Sequence, residues 1–383
     1  MWRRYTNWLH TRWPAGRVER QPQVNDDGST NVPGLYAVGD ISGIPLLKFS
    51  SHTGAAAVQT IIKDRAFQRR DRDARRDGKT VLDLVIIGAG VSGVAAAIEA
   101  KKHGLSFEIL EASESLFTIV NFPKGKPIFT YPTDMTPVGD LQFTERSVIK
   151  EGLVDELRER MEHHEIEPTI ARVDRVARRS GHLDCVVVDG GTVSAHRVIV
   201  GIGRSGDFRK LNVSGEELDK VYNRLHDPKD FAGQNVLVVG GGDSALETAI
   251  ALVGCGAAVT LSYRNSEFNR PKPENVERLR ALQDDAVAPN VVAEASGSWC
   301  VTDDGPGSGG SINVMMASRV SEITEGKVAI TGSDGTNHVV PNSAVFTMIG
   351  REPPLDFFRR CGVHIHGQWR PINFVALAVF LVF

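Results

Sequence analysis

Apolar positions along the chain fall into short runs separated by glycine-rich turns, and the runs alternate between strand-like and helix-like spacing. Leu82-Asp-Leu-Val-Ile-Ile87 and Val236-Leu-Val-Val239 are nearly continuous apolar runs, as expected of strands covered on both faces. Each opens into a glycine turn. After the first turn, Ala95-Ala-Ala-Ile-Glu-Ala-Lys-Lys102 has helix-forming composition, and Gly104 ends it. Phe107-Glu-Ile-Leu110 and Ala258-Val-Thr-Leu-Ser-Tyr263 read as the following strands. Residues 82–111 and 235–263 are therefore two βαβ units. Elsewhere, Leu35-Tyr-Ala-Val38 reads as a strand, Thr53 to Ile62 and 151–163 as helices. Cys185 to Asp189 and Val193 to Val200 read as an antiparallel pair, and strand signals return over 312–350.

Other stretches break this rhythm. Lys63 to Lys79 is dense in both charges and nearly free of apolar residues, so it reads as a solvated linker or an exposed helix. Thr302 to Gly310, rich in Gly, Ser and Asp, reads as a surface loop. In residues 1–16, Trp2, Tyr5, Leu9 and Trp13 approximate helical spacing, which fits an interfacial helix or a docked or frayed terminal one. Ile372 to Phe383 is almost wholly apolar and is flanked by Arg370. A membrane span needs roughly 20 such residues. The tail reads as a buried element, a truncated membrane helix or an interfacial anchor.

The two turns carry the chemistry. Gly88-Ala-Gly90-Val-Ser-Gly93 has the spacing in which one glycine permits a tight turn, the next admits a diphosphate, and the last lets helix approach strand. The diphosphate then faces a helix N-terminus, where free N–H groups favour negative charge. Glu111 ends the next strand, at the position expected for a carboxylate accepting from ribose hydroxyls. Gly240-Gly-Gly242-Asp-Ser-Ala245 repeats the frame with alanine in the last position. Ser92 and Ser244, inside the two turns, read as phosphate contacts rather than nucleophiles. After the second unit no acid stands at the strand end; Arg264 does, with Arg270 beyond it. Basic residues there suit a 2′-phosphate and favour NADPH, while the nearby Glu267 keeps NADH open. Two dinucleotide sites in one chain imply electron transfer between two dinucleotides.

Composition narrows the class. The chain has 383 residues, room for two domains, with 41% apolar and 24% charged residues, as in soluble globular proteins. A net charge of -3 gives no footing for a nucleic-acid partner. Cys185, Cys255, Cys300 and Cys361 are scattered, form no Cys-x-x-Cys and show no metal-ligand spacing, which fits a reducing cytoplasm. His163-His164 and His364-Ile-His366 lack a further ligand, so no metal site is expected. Cys361 lies beside arginines that favour thiolate. No side chain stands out as acid, base or nucleophile.

Taken together, these motifs resemble the thioredoxin reductase-like flavoproteins of the pyridine nucleotide-disulfide oxidoreductase superfamily. The resemblance covers residues 17–62 and 82–369. Val198-Ile-Val-Gly-Ile-Gly203 resembles the family's crossover into the NAD(P)H domain, and Val345-Phe-Thr-Met-Ile-Gly350-Arg its return. Asn31-Val-Pro-Gly-Leu-Tyr-Ala-Val-Gly39-Asp40 resembles the second flavin motif, which implies that Gly39 lets the backbone approach FAD and Asp40 meets its ribityl and phosphate region. Tyr131 to Met135, Gly139 to Phe143 and Arg270-Pro-Lys-Pro-Glu-Asn275 are similar to members without an active-site dithiol, the ferredoxin-NADP reductases of thioredoxin-reductase type and bacillithiol-disulfide-reductase-like proteins. Where thioredoxin reductases carry Cys-x-x-Cys, this chain reads Tyr222-Asn-Arg-Leu-His-Asp-Pro-Lys-Asp-Phe231.

The motif order departs from the family, which places its Gly-Asp motif last. Either 17–62 completes the flavin site of 82–369 as in a circular permutant, or it is left over from a tandem. The expected architecture is α/β, two Rossmann-like dinucleotide-binding domains. It has an N-terminal extension (1–16), an FAD-domain segment (17–62), a charged linker (63–81), the FAD domain (82–206), an inserted NAD(P)H domain (207–343), an FAD-domain return (344–369) and the apolar tail (370–383). The resemblance implies an FAD-dependent NAD(P)H oxidoreductase serving a small-molecule or protein redox acceptor, in a family whose members commonly pair as homodimers; the cysteine usage fits the cytoplasm, and the apolar tail leaves membrane contact open. A cofactor-binding remnant and a membrane-tethered electron-transfer module are the alternatives.

Overall fold

A computed structural model describes residues 20–368, apart from 45, 72, 77, 127, 129–133, 205–207, 284–300, 303–304 and 307–309, together with Val379. The terminal extension 1–16 and nearly all of the apolar tail lie outside the described residues, as does most of Tyr131 to Met135.

In the first half, β1 (Leu35–Ala37), α1 (Leu47–Lys63) and α2 (Arg65–Gln68) precede β2 (Leu82–Ile87), α3 (Val91–Lys102) and β3 (Phe107–Glu111). Then come α4 (Phe117–Val120), α5 (Lys150–His163), β4 (Thr169–Ile170), β5 (Val173–Arg178), β6 (Leu183–Val187) and β7 (Thr192–Val200). Their sheet runs β4-β3-β2-β7-β6-β5. β7 is shared along its length. Its first half pairs antiparallel with β6 (Asp184 opposite Ser194), and its second half pairs parallel with β1 (Leu35 opposite Val198). The segment that opens the chain thus enters the sheet built by residues 82–200. β2, buried at Leu84 to Ile87 and flanked on both edges, has the apolar run that such a position requires.

Helix α3 is Ala-rich and buried from Val91 to Ala100, with Lys101 and Lys102 in its last turn, where the helix dipole favours cations. It lies between the sheet and α1. A Cβ on Gly54 of α1 would stand 2.1 Å from the Ser92 carbonyl oxygen, so only glycine allows the two backbones this approach. On the other sheet face, Leu35, Ala37 and Ile41 share a core with Val85, Val198 and, from α8 (Leu355–Arg360) and beyond, Phe358, Val363 and Ile365. Asn31 fastens the two chain segments together: its Nδ2 donates to the Gly362 carbonyl at 3.0 Å, and its Oδ1 accepts from the His364 amide at 2.8 Å.

The charged stretch after α1 differs from a solvated linker. Phe67 in α2 is buried, and both Arg70 and Arg197 lie over its ring at 3.8 and 5.4 Å. Arg70 pairs with Asp83 and Arg197 with Asp64. One aromatic and four interlocked charges dock a segment whose composition alone suggests solvent.

The second half contains β8 (Val221–Tyr222), β9 (Asn235–Val239), α6 (Asp243–Gly254), β10 (Ala258–Ser262), α7 (Pro273–Gln283) and β11 (Ser311–Met315). A three-stranded antiparallel sheet follows, β12 (Ser318–Thr324), β13 (Lys327–Gly332) and β14 (Asn337–Pro341), and then β15 (Ala344–Thr347). The five-stranded sheet runs β8-β15-β9-β10-β11 and is parallel throughout. Two separate cores flank it, one under α6 and one under the β12–β14 sheet. The fold is α/β with two dinucleotide-binding sheets of thioredoxin-reductase type. The helix read from Thr53 begins earlier, at Leu47, because Ser50 and Ser51 find partners in Asp40 and in the Leu141 carbonyl.

Candidate functional site: two nucleotide cradles

In the first glycine turn the three glycines occupy different surroundings. Gly88 has φ +100°, and a Cβ there would stand 2.6 Å from the Gly201 carbonyl oxygen. At Gly93 it would stand 1.8 Å from the Gly88 carbonyl oxygen. At Gly90 its nearest neighbour, Gly201, would be 4.0 Å away, so this backbone is open to a ligand. Gly90 is also the N-cap of α3 and gives no side-chain cap, so the first-turn N–H groups keep their capacity for an anion. Glu111 reaches the same turn: its Oε2 accepts from the Ala89 amide at 2.7 Å. Its Oε1 accepts from the Ser113 amide at 3.0 Å.

Gly39 and Asp40 arrive at this turn from β1. Gly39 has φ +78°, and its amide donates to Thr53 Oγ1 at 2.9 Å. Ser92 is buried where Gly39, Gly54 and Gly201 converge. Asp40 accepts from Ser50 Oγ at 2.7 Å. Burial pushes its carboxyl above the usual range, against the opposing pull of the Ser50 hydrogen bond and the Arg204 charge. The neighbourhood of Ser50, Thr53 and Gly54 does not stand out in the sequence. Its one signal is the clustering of small and hydroxyl residues opening an otherwise apolar helix.

The second turn repeats the division of labour. Gly240 has φ +147°, and a Cβ there would meet the Met348 carbonyl oxygen at 2.4 Å and the Ala245 Cβ at 3.0 Å. A Cβ on Gly242 would have no neighbour within 4 Å, and Gly242 is the N-cap of α6, again without a side-chain cap. Gly241 presses on Tyr263, which stacks on Phe268 with ring centroids 5.3 Å apart.

This second turn lines a cleft of about 1070 Å³ that also takes in Asn121 to Pro123 and Lys126 from the first half. Ser244, Arg264 and Arg270 line it, while Ala245 is buried behind it. Among the described residues the lining holds eight Lys or Arg side chains against three Asp or Glu. Neither Arg264 nor Arg270 forms an ion pair among the described residues. Arg224, Arg319 and Arg351 join them in the cleft; the sequence places Arg351 in the return crossover and Arg224 in the Tyr222 to Phe231 stretch, and marks none of the three as a ligand. Gly39, Asp40 and Gly88 to Gly93 do not line it.

Cys361 differs from the thiolate that its neighbours in sequence suggest. It is buried, and its Sγ accepts from the Val176 amide at 3.2 Å. Burial pushes its thiol up to about 11, outweighing the amide and Arg360. The neighbouring arginines do not make it a thiolate. Burial pushes the Cys185 thiol up as well.

A family model, the pyridine nucleotide-disulphide oxidoreductases, matches residues 85–373. The chain belongs to this family. The ferredoxin–NADP reductase of Ignicoccus hospitalis is 26% identical over 290 residues, covering 75% of this chain and 83% of that protein. Bacilliredoxin reductase Bdr of Bacillus subtilis is 25% identical over 285 residues, covering 73% and 80%. The solved bacillithiol disulfide reductase of Bacillus cereus is similar with a TM-score of 0.59 and 25% identity, over 74% of this chain and 82% of that one. A Lactococcus lactis thioredoxin reductase shares the fold, with a TM-score of 0.53 and 22% identity over 72% of this chain and 80% of that one. The chain is an NAD(P)H-dependent flavoprotein oxidoreductase of thioredoxin reductase-like type, without the Cys-x-x-Cys. Among the described residues, no helix is long and apolar enough to cross a membrane.

Proposed function

We propose that the protein takes a hydride from NADPH onto FAD and passes the electrons to an acceptor outside the chain. One observation carries this reading: the stretch after β1 brings Gly39 beside Ser92 of the Gly90 turn, so segments far apart in sequence lie together where a flavin could be cradled. Residues 17–62 then complete the site of 82–369. The fit is physical. Gly90 leaves the space a diphosphate needs, the α3 N-terminus supplies N–H donors, and Asp40 offers a carboxylate for ribityl hydroxyls. Bound there, FAD supplies hydride acceptance and onward electron release.

The chain's own residues bind and orient. Gly242 and the α6 N-terminus take the diphosphate of NADPH; Arg264 and Arg270 take its 2′-phosphate. Phe208 pairs with Arg351 where the two crossovers meet between the halves. No Cys-x-x-Cys stands in Tyr222 to Phe231, so electrons leave the flavin without passing through a dithiol there. The named relatives include reductases of a redox protein and of a small disulfide.

The test is spectroscopic. The purified protein, loaded with FAD, is yellow and bleaches when NADPH is added without oxygen. Re-oxidation is then followed with ferredoxin and with bacillithiol disulfide. A protein that stays colourless after incubation with excess FAD overturns the proposal.

A further inference from the structure

Arg224 and Arg351 are two cleft cations on the far side of the second glycine turn from Arg264. β9, which ends at the turn, has β10 on one edge and β15 on the other. Arg264 follows β10; Arg351 follows β15, and Arg224 follows β8, the outer neighbour of β15. The Arg351 guanidinium lies 4.1 Å from the Phe208 ring centroid. Arg224 lies 5.5 Å from the same ring and 4.7 Å from that of Phe117 in α4. Stacking occupies the faces of these guanidiniums and leaves their in-plane N–H groups for an anion.

No carboxylate pairs with either side chain among the described residues. Arg224 donates weakly to Asn223 Oδ1 at 3.3 Å and feels Glu114 only through space. Burial lowers the affinity of both guanidiniums for their protons, and Arg224 repels Arg351 further. Two half-buried like charges, held by aromatic rings and paired with no carboxylate among the described residues, leave donors that an anion entering the cleft can satisfy.

The position selects the anion. Strand order reverses between β9 and β15, the switch point where parallel sheets of this kind place a dinucleotide. With the 2′-phosphate at Arg264, the other half of the dinucleotide extends across the end of β15. We propose that Arg224 and Arg351 form a subsite for the nicotinamide-side phosphate of the dinucleotide, gripping NADPH and NADH alike. This rests on the reading of the cleft as the nicotinamide dinucleotide site.

The test is titration of full-length wild type, Arg351→Gln and Arg224→Gln with NADP+, NAD+ and adenosine 2′,5′-bisphosphate, the half lacking that phosphate. Each variant binds NADP+ and NAD+ about tenfold more weakly or worse, by the same factor, as loss of a charge-assisted contact requires. Adenosine 2′,5′-bisphosphate binds as in wild type, which also shows that the variant cleft is folded. Equal weakening of the bisphosphate overturns the subsite, and so does undiminished binding of both dinucleotides. Wild type that binds none of the three overturns the dinucleotide reading itself.

Discussion

Ser92 Oγ lies 2.7 Å from the point where a Cβ on Gly39 would stand. One residue lies in the first turn of the helix after the first glycine turn; the other follows β1, two residues beyond its end. Gly39→Ala therefore meets a buried hydroxyl and must also hold φ +78°. The left-handed conformation alone costs an alanine about 1–2 kcal/mol. The expected outcome is a folded protein, slightly less stable, that retains little flavin. Flavin absorbance per polypeptide after gel filtration measures it, and full flavin content would show that Gly39 lies away from the cofactor.

Phe67 tests whether the charged segment after α1 is part of the core. It is 1% exposed, beneath Arg70 and Arg197. Phe67→Ala should cost about 3–5 kcal/mol, the usual loss for a buried aromatic. Urea unfolding followed by circular dichroism gives the number. A change within about 0.5 kcal/mol, as for surface sites, would mean that the segment contributes no packing.

Much of this was legible in the sequence, for physical reasons. Leu82 to Ile87 and Val236 to Val239 are central strands with both faces covered, so their apolar runs leave little choice. The glycine turns are legible because steric demands admit few residues: a Cβ on Gly93 would stand 1.8 Å from a carbonyl oxygen. Phe67 was not legible, since a lone aromatic among charges carries no periodicity. Arg224 and Arg351 were hidden for a different reason. Their role depends on Phe208 and Phe117 both lying within reach of Arg224, a convergence of segments that no local pattern encodes. Cys361 misled because neighbours in sequence supplied arginines, whereas the thiol itself points into a core with Phe358 and Val176.

Acid should loosen the same docked segment. The Arg197 hydrogen bond holds the Asp64 carboxyl below its ordinary value. At Asp83 burial pushes upward, but hydrogen bonds from Arg70 and the Ser106 amide prevail and hold it low. A carboxyl depressed in the folded state stabilises the fold above its unfolded value, about 3.9, and loses that contribution as pH falls through the folded value. Asp64→Asn should therefore melt below wild type at pH 7, and the gap should close below about pH 4. A gap independent of pH would assign the effect to packing instead.

Buried thiols should resist alkylation. Cys185 and Cys361 are both buried, and burial holds the Cys361 thiol near 11. Only the thiolate reacts at a useful rate, so both are protected twice, by protonation and by access. Iodoacetamide at pH 7 should leave the peptides containing Cys185 and Cys361 unlabelled in the folded protein and label them in urea, as read by mass spectrometry. Rapid labelling of Cys361 in the folded protein would restore the thiolate reading drawn from its neighbouring arginines.

Coenzyme preference should reside in Arg264. It follows β10 at the place where a carboxylate would otherwise receive ribose hydroxyls, and it faces the cleft without an ion-pair partner among the described residues. A guanidinium there contributes only when a 2′-phosphate is present, because NADH brings no anion to that end. Arg264→Ala should lower kcat/KM for NADPH about tenfold or more, the loss expected of a charge-assisted contact, and leave NADH nearly unchanged. High salt should narrow the wild-type preference, since the site is exposed and screened. If the ratio of the two coenzymes stays as in wild type, the 2′-phosphate lies elsewhere, and Arg270 and Arg319 in the same cleft become the residues to change next.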